Sequence, residues 1–162
     1  MKAERVFVGL GANLGDAQAT LKHALAALAA LPQTERVAQS SLYRTAPIQA
    51  SGPDFINAVA ELHTALEPQA LLHALQAIES AHGRERPYPN SPRTLDLDLL
   101  LFGQRIVQEP GLEVPHPRLH ERAFVLQPLL ELAPLIVHPR LGPLQLLVAS
   151  TADQPIERLP AS

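Results

Sequence analysis

The order of strand and helix patterns along this 162-residue chain predicts an α+β fold with one domain. Alternating apolar runs predict four strands, and two segments with apolar residues at helical spacing separate the first strand from the second and the third from the fourth. The resulting βαββαβ order is that of the ferredoxin-like arrangement, in which an antiparallel sheet carries its helices on one face. A C-terminal extension follows this core.

The first predicted strand is the apolar run Arg5–Leu10, and three glycines predict a turn directly after it. Asp16 is a suitable N-cap for the first helix, because its carboxylate accepts a hydrogen bond from a free backbone N–H. Leucines then recur at helical spacing until Pro32 ends the helix. The glycines are Gly9, Gly11 and Gly15, and the helical leucines are Leu21, Leu25 and Leu28.

The second and third strands are predicted at Thr34–Thr45 and Asp54–Thr64, with a loop at Pro47–Pro53 between them. Pro68 is suited to the first turn of the second helix, and Gly83 is suited to its end. The apolar face of this helix comprises Leu71, Leu72, Leu75 and Ile78.

Proline is enriched, with 16 residues, and two proline-rich stretches, Pro87–Pro92 and Pro110–Pro117, are predicted as loops. A short hairpin is predicted at Gly103–Val107. Beyond it, Arg122–Leu132 has the pattern of a third helix, with a kink at Pro128.

The fourth strand, at residues 93–102, is the most informative segment of the chain. Side chains alternate between the faces of a strand, so Asp96 and Asp98 share one face while leucines occupy the other. The two carboxylates then start about 6–7 Å apart, an arrangement that is costly on an apolar strand unless a cation lies between them. Mg²⁺ prefers such oxygens together with phosphate oxygens, and a pair of ions suits phosphoryl transfer. The alternative is an edge strand with two solvated carboxylates.

Three arginines surround the loop that leads into this strand: Arg84, Arg86 and Arg93. Arginine is always charged and grips phosphate oxygens with two donors, although arginines on a solvated loop are the common alternative. Beside two metal-binding carboxylates, the combination favours handling of a polyphosphate. A loop of this kind is also suited to act as a lid.

Asn57 lies on an otherwise apolar strand and shares a face with Phe55. A buried amide needs hydrogen-bond partners, and its adjacent donor and acceptor suit a flat heterocycle with amide-like edges, on which Phe55 is placed to stack. The alternative is a core asparagine that is satisfied by the protein itself.

Proline on both sides holds His116 in a fixed loop, where it is suited to donate to a phosphate or to act as an acid or base. His120 has no such constraint and is expected to be exposed. Surface or helix-face positions are expected for the remaining histidines: His23, His63, His73, His82 and His138.

Composition and missing motifs exclude several classes of function. There is no cysteine, which excludes disulfides and thiolate metal sites, and a net charge of −3 gives no bulk attraction to nucleic acid or to membrane surfaces. The glycine spacing does not fit a dinucleotide fingerprint or a P-loop, and Ser40–Ser41 lacks the context of a nucleophile elbow. The longest apolar run is too short to span a bilayer and no secretory signal is visible, so a cytoplasmic protein is expected.

Five motifs lie between roughly residues 5 and 140: Phe7–Asp16, Ser41–Thr45, Asp54–Ala58, Pro92–Asp98 and Pro115–Arg118. Together they resemble the 6-hydroxymethyl-7,8-dihydropterin pyrophosphokinase family, and Pro92–Asp98 is the most specific of them. The resemblance implies that residues 1–162 form one pyrophosphokinase domain. It implies a folate-pathway enzyme that transfers the diphosphate of ATP to 6-hydroxymethyl-7,8-dihydropterin and releases AMP.

The resemblance also implies roles for individual residues. Asp96 and Asp98 match the pair that holds two Mg²⁺ ions, and Arg84 and Arg93 match positions that handle the diphosphate during transfer. The pterin-binding set comprises Thr45, Ile48, Phe55, Asn57 and Phe124. The ATP-binding set comprises Gln76, Glu79, Arg84, Arg86, Arg93, Leu99, His116 and Arg122. The expected partners are ATP and the pterin alone, with no nucleic acid or membrane, and a monomer is expected.

Two other kinds of function remain open at this point. An ordinary γ-phosphoryl kinase or a metal-dependent phosphohydrolase can use the same carboxylates, and would release ADP or inorganic phosphate instead of AMP. A nucleotide-sensing or pterin-binding module without catalysis would bind the ligands without turnover, and the fold does not exclude it.

Overall fold

The computed structural model describes residues 3–13, 16–45, 54–81 and 95–160. It contains helices and antiparallel strands. The α-helices are α1 (Ala17–Ala29), α2 (Pro68–Ala81) and α3 (Ala123–Leu132), with short 3₁₀ helices at Leu119–Glu121 and Leu144–Thr151. The strands are β1 (Glu4–Ala12), β2 (Thr34–Gln39), β3 (Tyr43–Thr45), β4 (Phe55–Thr64), β5 (Asp96–Phe102), β6 (Val107–Glu109), β7 (Leu112–Val114), β8 (Val137–His138), β9 (Gly142–Pro143) and β10 (Ile156–Arg158).

The main sheet has the strand order β10-β3-β4-β1-β5, and β2 pairs with the same edge of β4 as β3 does. All of these pairings are antiparallel. The predicted strand Thr34–Thr45 is therefore wrong as a single element. The strand is interrupted at Ser40 because the side-chain Oγ of Ser40, in place of a backbone carbonyl, accepts a hydrogen bond from the backbone N–H of Val59 at 2.9 Å.

Helices cover both faces of the sheet. Leucines of α1 and α2 pack on one face in a core that includes Leu21, Leu28 and Leu75, as the amphipathic patterns predict. The helix α3, in the C-terminal extension, packs on the opposite face through Leu126 and Leu129. Since α3 covers only part of that face, an open cleft remains over the strands beside it.

Gly9 and Gly11 lie inside β1 and pair with both neighbouring strands, so the turn predicted at these two glycines is wrong. At Gly11 the lack of a side chain serves close packing across the sheet. A Cβ on Gly11 would lie 3.1 Å from the Oδ1 of Asn57, which is tighter than ordinary van der Waals contact. Gly15 lies outside the described residues.

The alternation predicted from sequence is present along β5: Leu97 and Leu99, with Leu95 directly before the strand, face the core under α1 and α2, and Asp96 and Asp98 face the cleft. The register against β1 then shifts, because Val8 opposes Leu99 while Phe7 opposes Leu101. This bulge places both Leu100 and Leu101 in the core under α3.

The predicted hairpin is displaced along the chain. Gly103, at φ +55°, forms the turn that ends β5, whereas the hairpin itself is built from β6 and β7 with Gly111 at φ +78° between them. The stretch Pro110–Pro117, predicted as a loop, accordingly contains β7. The third helix is confirmed with Pro128 inside it. The predicted loops at Pro47–Pro53 and Pro87–Pro92 and the predicted helix end at Gly83 fall outside the described residues.

Asp16 caps α1 as predicted, because its carboxylate accepts the N–H of Ala19 at 3.1 Å. Among the helices that the structure describes, none is both long and apolar enough to cross a membrane.

Candidate active site

The floor of the cleft is a row of three residues on adjacent strands. Asn57 of β4 lies opposite Gly11 of β1, and Gly11 lies opposite Asp96 of β5. One step further along, Gly9 lies opposite Asp98. Because two strand spacings separate β4 from β5, the amide and the carboxylate start about 10 Å apart, with only glycine between them. This row lines a cleft of about 630 Å³.

The amide of Asn57 is held in one orientation. It is 5% exposed, and its Nδ2 donates to the Oγ1 of Thr45 at 2.8 Å. Its Oδ1 faces the space that the missing side chain of Gly11 leaves. Thr45 and Gly11 together fix the amide edge of Asn57 in the floor of the cleft. There the amide is suited to recognise a flat ligand that carries both donors and acceptors.

Two aromatic rings line the same cleft from different elements. Phe55 comes from β4 and Phe124 comes from the first turn of α3, and each is partly exposed. The guanidinium of Arg122 lies over the Phe124 ring, 5.5 Å from its centre. Thr45, Phe55, Asn57 and Phe124 are thus brought together as the sequence predicts, and Arg122 joins them.

Asp96 and Asp98 are both partly exposed to the cleft. Asp98 also lines a second, more open cleft of about 430 Å³, so this carboxylate stands where the two clefts meet. Within the described residues no group of three or more histidine, cysteine or acidic side chains is placed to hold a metal. Two carboxylates alone suit a magnesium ion that takes its other oxygens from water and phosphate.

The second cleft lies at the free edge of β5. Leu99, His116 and Pro117 line it together with Leu72 of α2. Two of the residues expected to bind ATP, Leu99 and His116, are therefore placed in a cleft next to the one that holds Asn57.

Of the remaining described members of the expected ATP set, Arg122 lines the first cleft, whereas Gln76 and Glu79 lie outside the lining of both clefts. Gln76 is exposed on α2. Glu79 is 4% exposed, and its Oε2 accepts the N–H of Leu97 at 2.8 Å, which ties α2 to the edge of β5. Ile48, Arg84, Arg86 and Arg93 fall outside the described residues.

His116 is held rigidly, as its flanking prolines predict. The backbone N–H of His116 donates to the carbonyl of Leu100 at 2.9 Å, and the ring Nδ1 accepts the backbone N–H of Arg118 at 3.2 Å. Burial and then the charge of Arg122 lower the pKa of His116, while the charge of Asp96 opposes part of that shift. At neutral pH the ring is accordingly neutral, and its Nε2 carries the proton toward the second cleft.

Two expectations about other histidines are wrong. His120 is half-buried, because it lies in the 3₁₀ helix beneath α3, and its Nδ1 is enclosed. His138 is 6% exposed, and its Nδ1 accepts the N–H groups of Arg140 and Leu141 at 3.0 and 3.1 Å. His138 is thus a structural acceptor that holds the turn between β8 and β9.

Three polar residues to which the sequence assigned no role also line the first cleft: Arg118, Glu121 and Gln154. Arg118 belongs to the motif Pro115–Arg118, and its position two residues after His116 is the feature of the sequence that could have indicated a role in the cleft. Gln154 lies in the C-terminal extension, where no pattern in the sequence distinguishes it.

Comparisons with known proteins show which family the chain is similar to. Residues 7–134 match the family described as 7,8-dihydro-6-hydroxymethylpterin-pyrophosphokinase. A 2-amino-4-hydroxy-6-hydroxymethyldihydropteridine pyrophosphokinase of Pseudomonas aeruginosa is 47% identical over 160 residues, which cover 98% of this chain and 99% of that protein. A protein of the same name from Haemophilus influenzae is 40% identical over 154 residues, with coverages of 94% and 96%.

A solved structure supports the fold at lower identity. An HPPK-DHPS protein of Plasmodium falciparum superposes with a TM-score of 0.74 at 15% identity over 91% of this chain. The chain spans about 45% of the length of that protein, so the likeness concerns one part of a longer polypeptide.

Proposed function

The chain belongs to the 7,8-dihydro-6-hydroxymethylpterin-pyrophosphokinase family, and on that premise we propose that it transfers the terminal diphosphate of ATP to 6-hydroxymethyl-7,8-dihydropterin in folate synthesis. The products are AMP and the pterin diphosphate. The observation that carries the proposal is the row Asn57, Gly11 and Asp96, which sets an amide edge and a carboxylate at the two ends of one cleft.

The pterin binds in the first cleft in this account. Asn57 reads the amide-like edge of the ring, and its orientation is set by Thr45. Phe55 and Phe124 stack on the two faces of the ring. Gly11 leaves the floor open, so the ring extends from β4 toward β5 and its hydroxymethyl group points to Asp96 and Asp98. The backbone near Ile48 completes the pocket by resemblance.

ATP binds in the second cleft, with its phosphates reaching Asp98. Since the N–H of Leu97 points away from β1 to Glu79, the N–H of Leu99 faces the same free edge and is suited to bind the base of the nucleotide. His116 donates from Nε2 to a phosphate oxygen, and Arg122 adds positive charge at the entrance to the first cleft. By resemblance, Gln76 and Glu79 contact the nucleotide.

We infer that two Mg²⁺ ions accompany ATP and that Asp96 and Asp98 hold them. The donor set fits, because both carboxylates face one cleft and one of them also borders the other. Magnesium bound there would neutralise phosphate charge and would lower the pKa of the attacking hydroxyl.

In the transfer itself, the hydroxyl oxygen of the pterin bonds to the β-phosphorus of ATP. The bond from that phosphorus to the oxygen bridging to the α-phosphorus breaks, AMP leaves with the electron pair, and the hydroxyl proton is released. The described lining of the clefts offers carboxylates and one imidazole as bases, and the transfer depends mainly on positioning and charge neutralisation. Arg84 and Arg93 handle the diphosphate, and Arg86 approaches ATP, by resemblance.

We also infer a ferredoxin-like topology for the core, a monomer, and a cytoplasmic location. The topology is supported by the strand order β3-β4-β1-β5, which a βαββαβ chain with antiparallel pairing adopts.

The variant Asn57→Ala tests the proposal at its most specific contact. We expect calorimetric titration to show pterin affinity reduced by at least about tenfold, because the ring loses paired hydrogen bonds, while ATP affinity stays within twofold. The matched control is Gln108→Ala, which removes an exposed amide from β6. An equal loss of affinity for both ligands would refute the role of Asn57.

A further inference from the structure

We propose that Gln154 is a positioning residue for the pterin cleft, which it shapes by capping the helix that carries Phe124. The inference rests on the proposed function and deepens it. Gln154 lies beyond residues 7–134, where the family match ends, so the C-terminal extension supplies part of the site.

The contacts of Gln154 carry the inference. Its Oε1 accepts the N–H of Ala123, the first residue of α3, at 2.8 Å. Its Nε2 donates to the carbonyl of Glu121 at 2.8 Å. One amide therefore holds both sides of Arg122, whose own side chain makes no cap hydrogen bond to α3.

This arrangement matters because α3 has no local cap. The first N–H groups of a helix lack partners within the helix, and a side chain of the preceding residue commonly accepts one of them. Here a residue from a distant segment does so. The helix start that it fixes places Phe124 against the cleft and Arg122 over the Phe124 ring.

Gln154 is itself held in place from both sides. The backbone N–H of Gln154 donates to the carbonyl of Thr151, which is 1% exposed at the end of the 3₁₀ helix. After Gln154 the chain forms β10, in which Ile156 pairs with Thr45. The same short segment thus joins α3, which carries one aromatic wall, to β3, which carries the partner of Asn57.

Two substitutions separate positioning from mere stability. Gln154→Ala removes both hydrogen bonds and frees the start of α3. Gln154→Glu keeps an acceptor for Ala123, and a negative charge is favourable at a helix N-terminus, but it cannot donate to Glu121. The matched control is Glu157→Gln, which lies in the same segment and removes only an exposed ion pair with Arg44.

We expect Gln154→Ala to raise the KM and Kd for the pterin about tenfold, because a helix start that has lost its cap no longer holds Phe124 against the ring, and to leave the KM for ATP within twofold. Gln154→Glu should recover most of the pterin affinity, and Glu157→Gln should match the parent protein. Pterin binding is followed by ligand fluorescence as well as by turnover, and folding by thermal unfolding.

Pterin affinity within twofold of the parent in Gln154→Ala would overturn the inference, as would equal losses for pterin and ATP, or a Gln154→Glu variant as weak as the alanine variant. Failure of the proposed function is separately visible, as absence of pterin-dependent AMP in the parent protein, and the fluorescence titration then still measures the effect of Gln154. A parent protein that binds no pterin would overturn both.

Discussion

At the scale of single residues, the carboxylates of Asp96 and Asp98 have the largest expected effect on chemistry. Both face the cleft from β5, and no other acidic side chain among the described residues lies on that strand. We expect Asp96→Asn and Asp98→Asn each to lower kcat/KM by at least about 100-fold, because the site loses charge that offsets bound metal. Steady-state kinetics measures the loss, and circular dichroism checks the fold.

The control for this pair is Glu35→Gln, which removes a carboxylate from an exposed position of β2. Near-normal turnover in both aspartate variants would refute the proposed metal site.

Gly11 provides a second prediction at this scale. A Cβ there would lie 3.1 Å from the Oδ1 of Asn57, so Gly11→Ala must push the amide away from its position. We expect the Kd for pterin to rise about tenfold, equivalent to about 1.4 kcal/mol of overpacking, with little change in ATP affinity. Calorimetric titration with each ligand measures this. Unchanged pterin affinity would show that Asn57 does not need its observed position.

At the scale of elements, the carboxylate of Glu131 joins three pieces of structure. Lying on α3, it accepts hydrogen bonds from the backbone N–H and hydroxyl of Ser41, from Tyr43 of β3 at 2.6 Å, and from Arg158 of β10 at 3.3 Å. Burial alone would raise the pKa of Glu131, but these donors lower it overall. Burial, together with Glu131, raises the pKa of Tyr43 to about 12.

Tyr43→Phe tests this junction. We expect the free energy of unfolding to fall by about 1–3 kcal/mol, since a partly buried carboxylate loses one donor. Denaturant unfolding measures the difference. The control Arg44→Ala, at an exposed ion pair on the same strand, should change stability by less than about 0.5 kcal/mol. Equal stability of Tyr43→Phe and the parent would show that Glu131 does not hold these elements together.

The turn between β8 and β9 should depend on pH through His138. Burial, followed by the charges of His120 and Arg140, lowers the pKa of His138 below its ordinary value of 6.5. At pH values between the folded and the unfolded pKa, the unfolded chain binds more protons than the folded protein. The contribution of neutral His138 to stability is therefore complete above pH 6.5 and falls as the pH drops below that value.

Urea unfolding between pH 7.5 and 5 measures this dependence. We expect His138→Asn, which keeps an acceptor for the turn but does not titrate, to lose less stability over this range than the parent protein does. The exposed His73→Asn should follow the parent. A parent and a His138→Asn variant with the same pH dependence would contradict the assignment.

At the scale of the whole molecule, periodic patterns predicted most of the core. Alternation identified β1, β4 and β5, and helical spacing identified α1, α2 and α3, because each of these buries a regular apolar face. Among the cleft residues, Asn57 and Phe55 were predicted from their shared strand face, whereas Thr45 and Phe124 were predicted only through motif resemblance, since their convergence depends on strand order.

The structural features that the sequence could not predict depend on tertiary contacts. Gly9 and Gly11 look like turn residues locally, and the close approach of Asn57, which explains the glycine at position 11 inside a strand, is a tertiary contact. The hydroxyl of Ser40 breaks a strand by replacing a backbone acceptor, and Gln154 caps a helix about 30 residues away along the chain. Contacts between such distant residues leave no periodic signal.

Attack at the β-phosphorus of ATP leaves AMP, so identifying the nucleotide product is the most direct test of the proposed reaction. Purified protein is incubated with ATP, Mg²⁺ and 6-hydroxymethyl-7,8-dihydropterin, and AMP is resolved from ADP by chromatography. The account predicts AMP that forms only in the presence of the pterin and disappears when a chelator is added. ADP or inorganic phosphate as the product, or binding of both ligands without AMP, would contradict it.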